Sequence, residues 1–171
     1  PFPSDDLLGS DGIDLSKLPD PDHPTLMEQA LGMLASADGF ARTGAVYFRA
    51  SAALDPTTLP DLAGSIADGA SVYVVAIDPA SPAFLVKQPV MISYLPKGGP
   101  YGDTNLLALL PLQGVPLAPK TRYAAVVTTQ VRAAGGDALA PSAEMSDLAA
   151  GHQSGEYADA VKSGRTHLMD A

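Results

Sequence analysis

The sequence predicts a mainly β domain with short helical pieces at both ends, and three observations carry that reading. From Gly44 onward the apolar residues alternate with a period of two, as in half-buried strands. Sixteen prolines and sixteen glycines, with no Gly-X-Y period, supply many irregular turns. The length of 171 residues, 46% of them hydrophobic, suffices for one domain with a sizeable core and is short for two.

Residues 1–24 carry five prolines and six aspartates and no sustained periodicity. They read as an extended arm anchored by Phe2, Leu7, Leu8, Ile13 and Leu18, with Asp5 or Asp6 bonding backbone amides. Thr25-Leu26-Met27-Glu28 fits a capping box, in which the hydroxyl bonds forward and the carboxylate reaches back. Leu26, Met27, Ala30, Leu31 and Leu34 then share a helical stripe, and Gly39 is placed to end that helix.

Strands are expected next at GAVYFRA (44–50), SVYVVAI (71–77), VMISYL (90–95), NLLALLP (105–111) and TRYAAVVTTQV (121–131), the last the longest. In the first of these Val46, Phe48 and Ala50 alternate against Ala45, Tyr47 and Arg49. Pro82 and Pro89 flank Phe84–Lys87 and make it an edge strand or a loop. Residues 96–103 are a turn-rich loop. In residues 142–171 the alternation is lost; Ser142 can cap a helix bearing Met145 and Leu148, and Ser154 one bearing Tyr157 and Val161.

Composition excludes several classes. A net charge of −9 argues against nucleic acid and against anionic membrane surfaces. The absence of cysteine removes disulfides, thiolate nucleophiles and cysteine-ligated metals, and suits an exported bacterial protein. No apolar run is long enough to cross a bilayer. An opening Pro1-Phe2 in place of a methionine suggests a processed or trimmed piece of a longer protein.

Each candidate for chemistry has a plainer explanation. GHQSGEY (151–157) looks like a hydrolase nucleophile turn, but that turn needs G-x-S-x-G; Gly155 follows Ser154 directly and His152 stands two before it. The arm's Asp5, Asp6, Asp11, Asp14, Asp20 and Asp22 do not fall in an EF-hand frame and serve better as turn caps, with an irregular calcium site as the rival. His23, His152 and His167 lack zinc spacing and read as surface residues. Glu28, Glu144 and Glu156 each stand at an expected helix start, where the dipole favours them. Gly98-Gly99 and Gly135-Gly136 are turns, since neither lies in a phosphate-loop frame. Tyr94 and Tyr101 could stack a sugar ring, or be a core tyrosine and a loop tyrosine. No catalytic, cofactor-binding or metal-binding residue is therefore assigned.

Stretches in both halves of the chain carry a resemblance. Leu117-Ala118-Pro119-Lys120-Thr121-Arg122-Tyr123 before a valine-rich strand, with Gly135-Gly136-Asp137 and Leu139 after it, resembles the grammar of bacterial immunoglobulin-like domains. PFPSDDLL (1–8), DGIDL (11–15) and ALGMLASADGFARTGAVYFRA (30–50), with its Asp38-Gly39-Phe40 turn, are similar to the N-terminal, non-catalytic domain of bacterial extracellular lipases of the virulence-factor type. The match runs from residue 1 to about residue 142. It implies an immunoglobulin-like β-sandwich over 25–141 with one N-terminal helix, the arm over 1–24, and a helical segment over 142–171 leading towards a hydrolase domain.

The function that the resemblance implies is accessory: stabilising or presenting a downstream α/β-hydrolase of the same protein, exported to the cell exterior or the outer-membrane surface. The chain itself would not be an enzyme and would bind no cofactor. Met145, Leu148, Tyr157 and Val161 would either meet that neighbour or complete this domain's own core. A polymer- or glycan-binding module and a structural surface or adhesin domain are the alternatives. The closing strand usual in such domains, and the hydrolase itself, are not within these residues.

Overall fold

The computed structural model describes residues 1–10, 12–19, 25–37, 39–99 and 102–150. The fold is mainly β. A hairpin of β1 (Leu8–Gly9) and β2 (Gly12–Ile13) and the helix α1 (Thr25–Ala35) precede the strands β3 (Val46–Arg49), β4 (Val72–Ala76), β5 (Lys87–Gln88), β6 (Val90–Leu95), β7 (Leu106–Pro111) and β8 (Tyr123–Val127), and the helix α2 (Ala143–Ala150) follows. All pairings are antiparallel. One sheet has the order β3-β7-β6 and the other β5-β4-β8.

Both three-stranded sheets contribute to one core. Val90, Leu107 and Leu109 come from the first and Val72 and Val74 from the second, joined by Leu54 and Val131 from the connections. Each is essentially removed from water, which stabilises the fold by roughly 1.5–3 kcal/mol per side chain of this size. β7 is the central strand of its sheet, and its run of leucines is buried almost throughout.

β3 shows why period two matters here. Val46, Phe48 and Ala50 pack on the main core, while Tyr47 on the opposite face joins a second cluster with Phe2, Leu7 and Ile13 of the arm and Leu34, Ala37 and Phe40 beyond it. The strand is a wall shared by two apolar clusters. Backbone bonds tie the arm to it: the Phe2 amide donates to Tyr47 O at 3.0 Å and the Tyr47 amide donates to Phe2 O at 2.6 Å.

Several expectations need correction. The arm is not simply extended: Asp5–Leu7 forms a 3-10 turn and β1 pairs with β2. Phe2, Leu7, Ile13 and Leu18 anchor it, whereas Leu8 is exposed. Asp14 supplies a carboxylate-to-amide bond in the arm, accepting from the Ser16 amide at 2.8 Å.

The helix α1 ends at Ala35, four residues short of Gly39. The Ser36 hydroxyl donates to Met33 O at 2.9 Å and the Ala37 amide donates to Leu34 O, so a side chain and a tightened last turn satisfy the terminal carbonyls without glycine. Around Phe84 the chain turns; Lys87–Gln88 form the strand paired with β4, and Leu85 and Val86 bond the Ala76 backbone at its end. β8 covers five residues, not eleven; the chain turns after Thr128, and the Val131 amide bonds back to Thr128 O.

Candidate functional site

The arm docks over the outer side of β3 and leaves two open grooves. One, of about 420 Å³, is lined by Leu7, Gly9, Ser10, Gly12, Asp14 and Ala35. Gly12 is required there: its φ is +126°, and a Cβ on it would collide with the Ala35 carbonyl. The other groove, of about 330 Å³, runs past Phe2, Lys17, Leu18, Tyr47, Arg49 and Asp103. Arg49 Nη1 meets Asp103 Oδ2 at 3.1 Å at the rim, where water weakens the pair.

Polar side chains elsewhere fasten loops to the core. The Leu54 amide donates to Tyr94 Oη at 2.9 Å, and that hydroxyl donates to Asn105 Oδ1 at 3.0 Å. Ser65 is wholly buried; its hydroxyl donates to Leu62 O at 2.7 Å and accepts from the Val90 amide at 3.2 Å. Asp55 Oδ1 accepts from the Thr57 hydroxyl at 2.7 Å and from the Thr57 amide at 2.9 Å, and Pro56 opens the 3-10 turn that it caps. Those two bonds, the hydroxyl's first, hold the Asp55 carboxyl below its ordinary value of 3.8. The Ala118 amide donates to Tyr123 Oη at 2.9 Å.

The residues singled out from the sequence fall into three groups. Tyr94 is a core tyrosine: its ring packs on the main cluster and its hydroxyl is engaged twice. Gly98-Gly99 and Gly135-Gly136 form turns, closed by paired Gly99–Gly102 bonds and by the Gly136 amide on Ala133 O. Ser142 caps α2 as expected, its hydroxyl accepting from the Met145 amide at 3.2 Å, and Met145 is exposed.

Asp11, Asp20, Asp22, His23, Asp38, Tyr101, His152, Ser154, Glu156, Tyr157, Val161 and His167 lie outside the described residues, as do the side chains of Asp6, Glu144 and Leu148. Among the described residues no group of three or more His, Asp or Glu gathers as a metal site, and no helix is long and apolar enough to cross a membrane.

Sequence reading missed Ser65, Asn105 and Gly12, the polar and backbone pins. The long-range bonds of Ser65 and Asn105 carry no local signal, since Val90 and Tyr94 lie 25 and 11 residues away. The Asp-Pro-Thr-Thr turn at 55–58 was readable from its cap residue and its proline. No protein family, no curated protein and no solved structure matches this chain.

Proposed function

We propose that the chain is a non-catalytic accessory domain of an exported bacterial lipase- or esterase-like hydrolase, built as an immunoglobulin-like sandwich that stabilises or presents the catalytic domain. The observation that carries this reading is the contact between Phe2 and Phe40. Their rings stand edge to face, 5.9 Å apart at 82°. Phe2 belongs to the Pro-Phe-Pro opening and Phe40 to the Asp-Gly-Phe turn. These two separated pieces of the resemblance thus depend on each other physically.

The strand orders also support the sandwich. An immunoglobulin-type fold sets strands B, E and D side by side in one sheet, and C′, C and F in the other. Taken in chain order, β3-β7-β6 and β5-β4-β8 fit those two sets. Tyr123 opens β8, the counterpart of strand F, and its hydroxyl reaches back to the Ala118 amide, as in the tyrosine corner of such domains. In this role the domain acts through contact and steric cover, so its chemistry lies in the partner.

The deciding experiment is the mass and reading frame of the full-length gene product. A downstream domain with G-x-S-x-G, an acid and a histidine supports the proposal, and deleting residues 1–150 should then lower that enzyme's stability or alter its substrate access. A frame holding tandem sandwiches and no hydrolase overturns it in favour of a surface or binding role.

A further inference from the structure

We propose that the free edge of β8 is a strand-accepting site, which takes an extended segment of a partner polypeptide with apolar residues at alternate positions and acidic residues at its ends. The Thr128 amide bonds Ser71 O and the Ile77 amide bonds Arg122 O, both at 2.9 Å, in register with the β4–β8 ladder. In an antiparallel ladder, hydrogen-bonded residues alternate. Arg122, Ala124, Val126 and Thr128 therefore turn their backbone groups to β4, and Tyr123, Ala125 and Val127 turn theirs outward. Among the described residues nothing pairs with those outward groups.

The other edges are covered, short or partly occupied. Phe2 pairs with the outer edge of β3. Ser65 occupies the first outward amide of β6, that of Val90, and those of Ile92 and Tyr94 follow it along the same edge. β5 is two residues long, and Lys87 folds from it onto Ala67 O and the Tyr73 ring. Short edge strands, covered edges and lysine are the usual protections against added strands. β8 has none of these and is half-exposed along its whole length.

The chain's own hairpin stops short of this edge. Residues 137–139 pair with 131–133 through Ala133 N to Asp137 O and Leu139 N to Val131 O. Continued in that register, the hairpin would bring residues 143–147 beside β8. Instead Pro141 intervenes, and Ser142 caps α2 over those same residues.

The guest's character follows from β8. The side chains of Tyr123, Ala125 and Val127 face the main core, so guest residues opposite them face it too and must be apolar. Lys120, Arg122 and Arg132, exposed near the two ends of β8, make no ion pair among the described residues, in a chain whose net charge is −9. They favour acidic guest ends.

Amide hydrogen exchange on the full 171-residue chain tests this, with and without a blocked nine-residue peptide of alternating threonine and valine closed at both ends by aspartate. The peptide should slow exchange at Tyr123, Ala125 and Val127 and leave Ile92 and Tyr94 of β6 unchanged. Ala125→Pro removes only an outward-facing amide, which an edge strand tolerates. It should weaken peptide binding about tenfold or more, while Ile92→Pro should not. Slow exchange at the three β8 amides before peptide is added means that the chain fills its own edge, and overturns the proposal. So does protection that appears on concentrating the protein alone, which signals a second copy, or protection confined to β6. If Ala125→Pro fails to fold, the exchange pattern of the unaltered chain decides.

Discussion

Replacing Tyr94 by phenylalanine removes one oxygen and leaves the ring in the core. That oxygen accepts from the Leu54 amide and donates to Asn105. Leu54 is only 3% exposed, so water cannot readily take over its amide. A buried donor left without a partner costs about 1–3 kcal/mol, which puts Tyr94→Phe near a loss of 2 kcal/mol. At about 2–4 °C per kcal/mol for a chain of this length, the melting temperature should fall by roughly 4–8 °C.

Tyr123→Phe is the matched control. It also removes one tyrosine oxygen that accepts an amide, but that amide belongs to the exposed Ala118, where water replaces it. Its cost should be about 1 kcal/mol or less. Urea unfolding of both variants, followed by circular dichroism, measures the difference. The reasoning fails if Tyr94→Phe lies within about 0.5 kcal/mol of the unaltered protein, or if it costs less than Tyr123→Phe.

Three further changes probe other pins. Gly12→Ala forces a Cβ onto the Ala35 carbonyl at a φ of +126°; a loss of about 2 kcal/mol or more is expected, with protease cutting within residues 1–19 before the two larger sheets unfold. Ser65→Ala leaves the Val90 amide, on a residue with no exposed surface, without its acceptor; chemical unfolding should show a loss of about 1–3 kcal/mol. Asp55 has a depressed folded pKa, so its stabilising share is present above the unfolded value and is lost as pH falls through the folded one. A carboxyl NMR titration should place its midpoint below 3.8, and Asp55→Asn should narrow its stability gap to the unaltered protein as the solution is acidified past that midpoint.

The strands of the two larger sheets were legible because burial on alternate sides leaves a period-two record in the residues themselves. VMISYL at 90–95 became β6 with the same bounds, and residues 105–111 became β7 with one residue trimmed. What escaped was decided by distant partners. Nothing in Leu8 separates it from Leu7, yet Leu7 is buried in the second cluster and Leu8 is exposed. β8 shortened although residues 121–131 suit a strand, because Val131 bends back to bury itself in the main core. The edges and grooves stayed hidden for the same reason, since backbone direction is a property of pairing and carries no side-chain signature.

The double duty of β3 has a consequence for biosynthesis. Phe2 and Leu7 are synthesised before β3, and their place on the fold is the outer side of that strand, whose sheet partner β7 comes later still. Tyr47 lies opposite Ala108 on β7, so roughly 60 further residues must be translated before β3 has its neighbour, about 3–12 s at ordinary synthesis rates. Through that interval the apolar anchors of the arm, Phe2 and Leu7, have no finished surface to settle on.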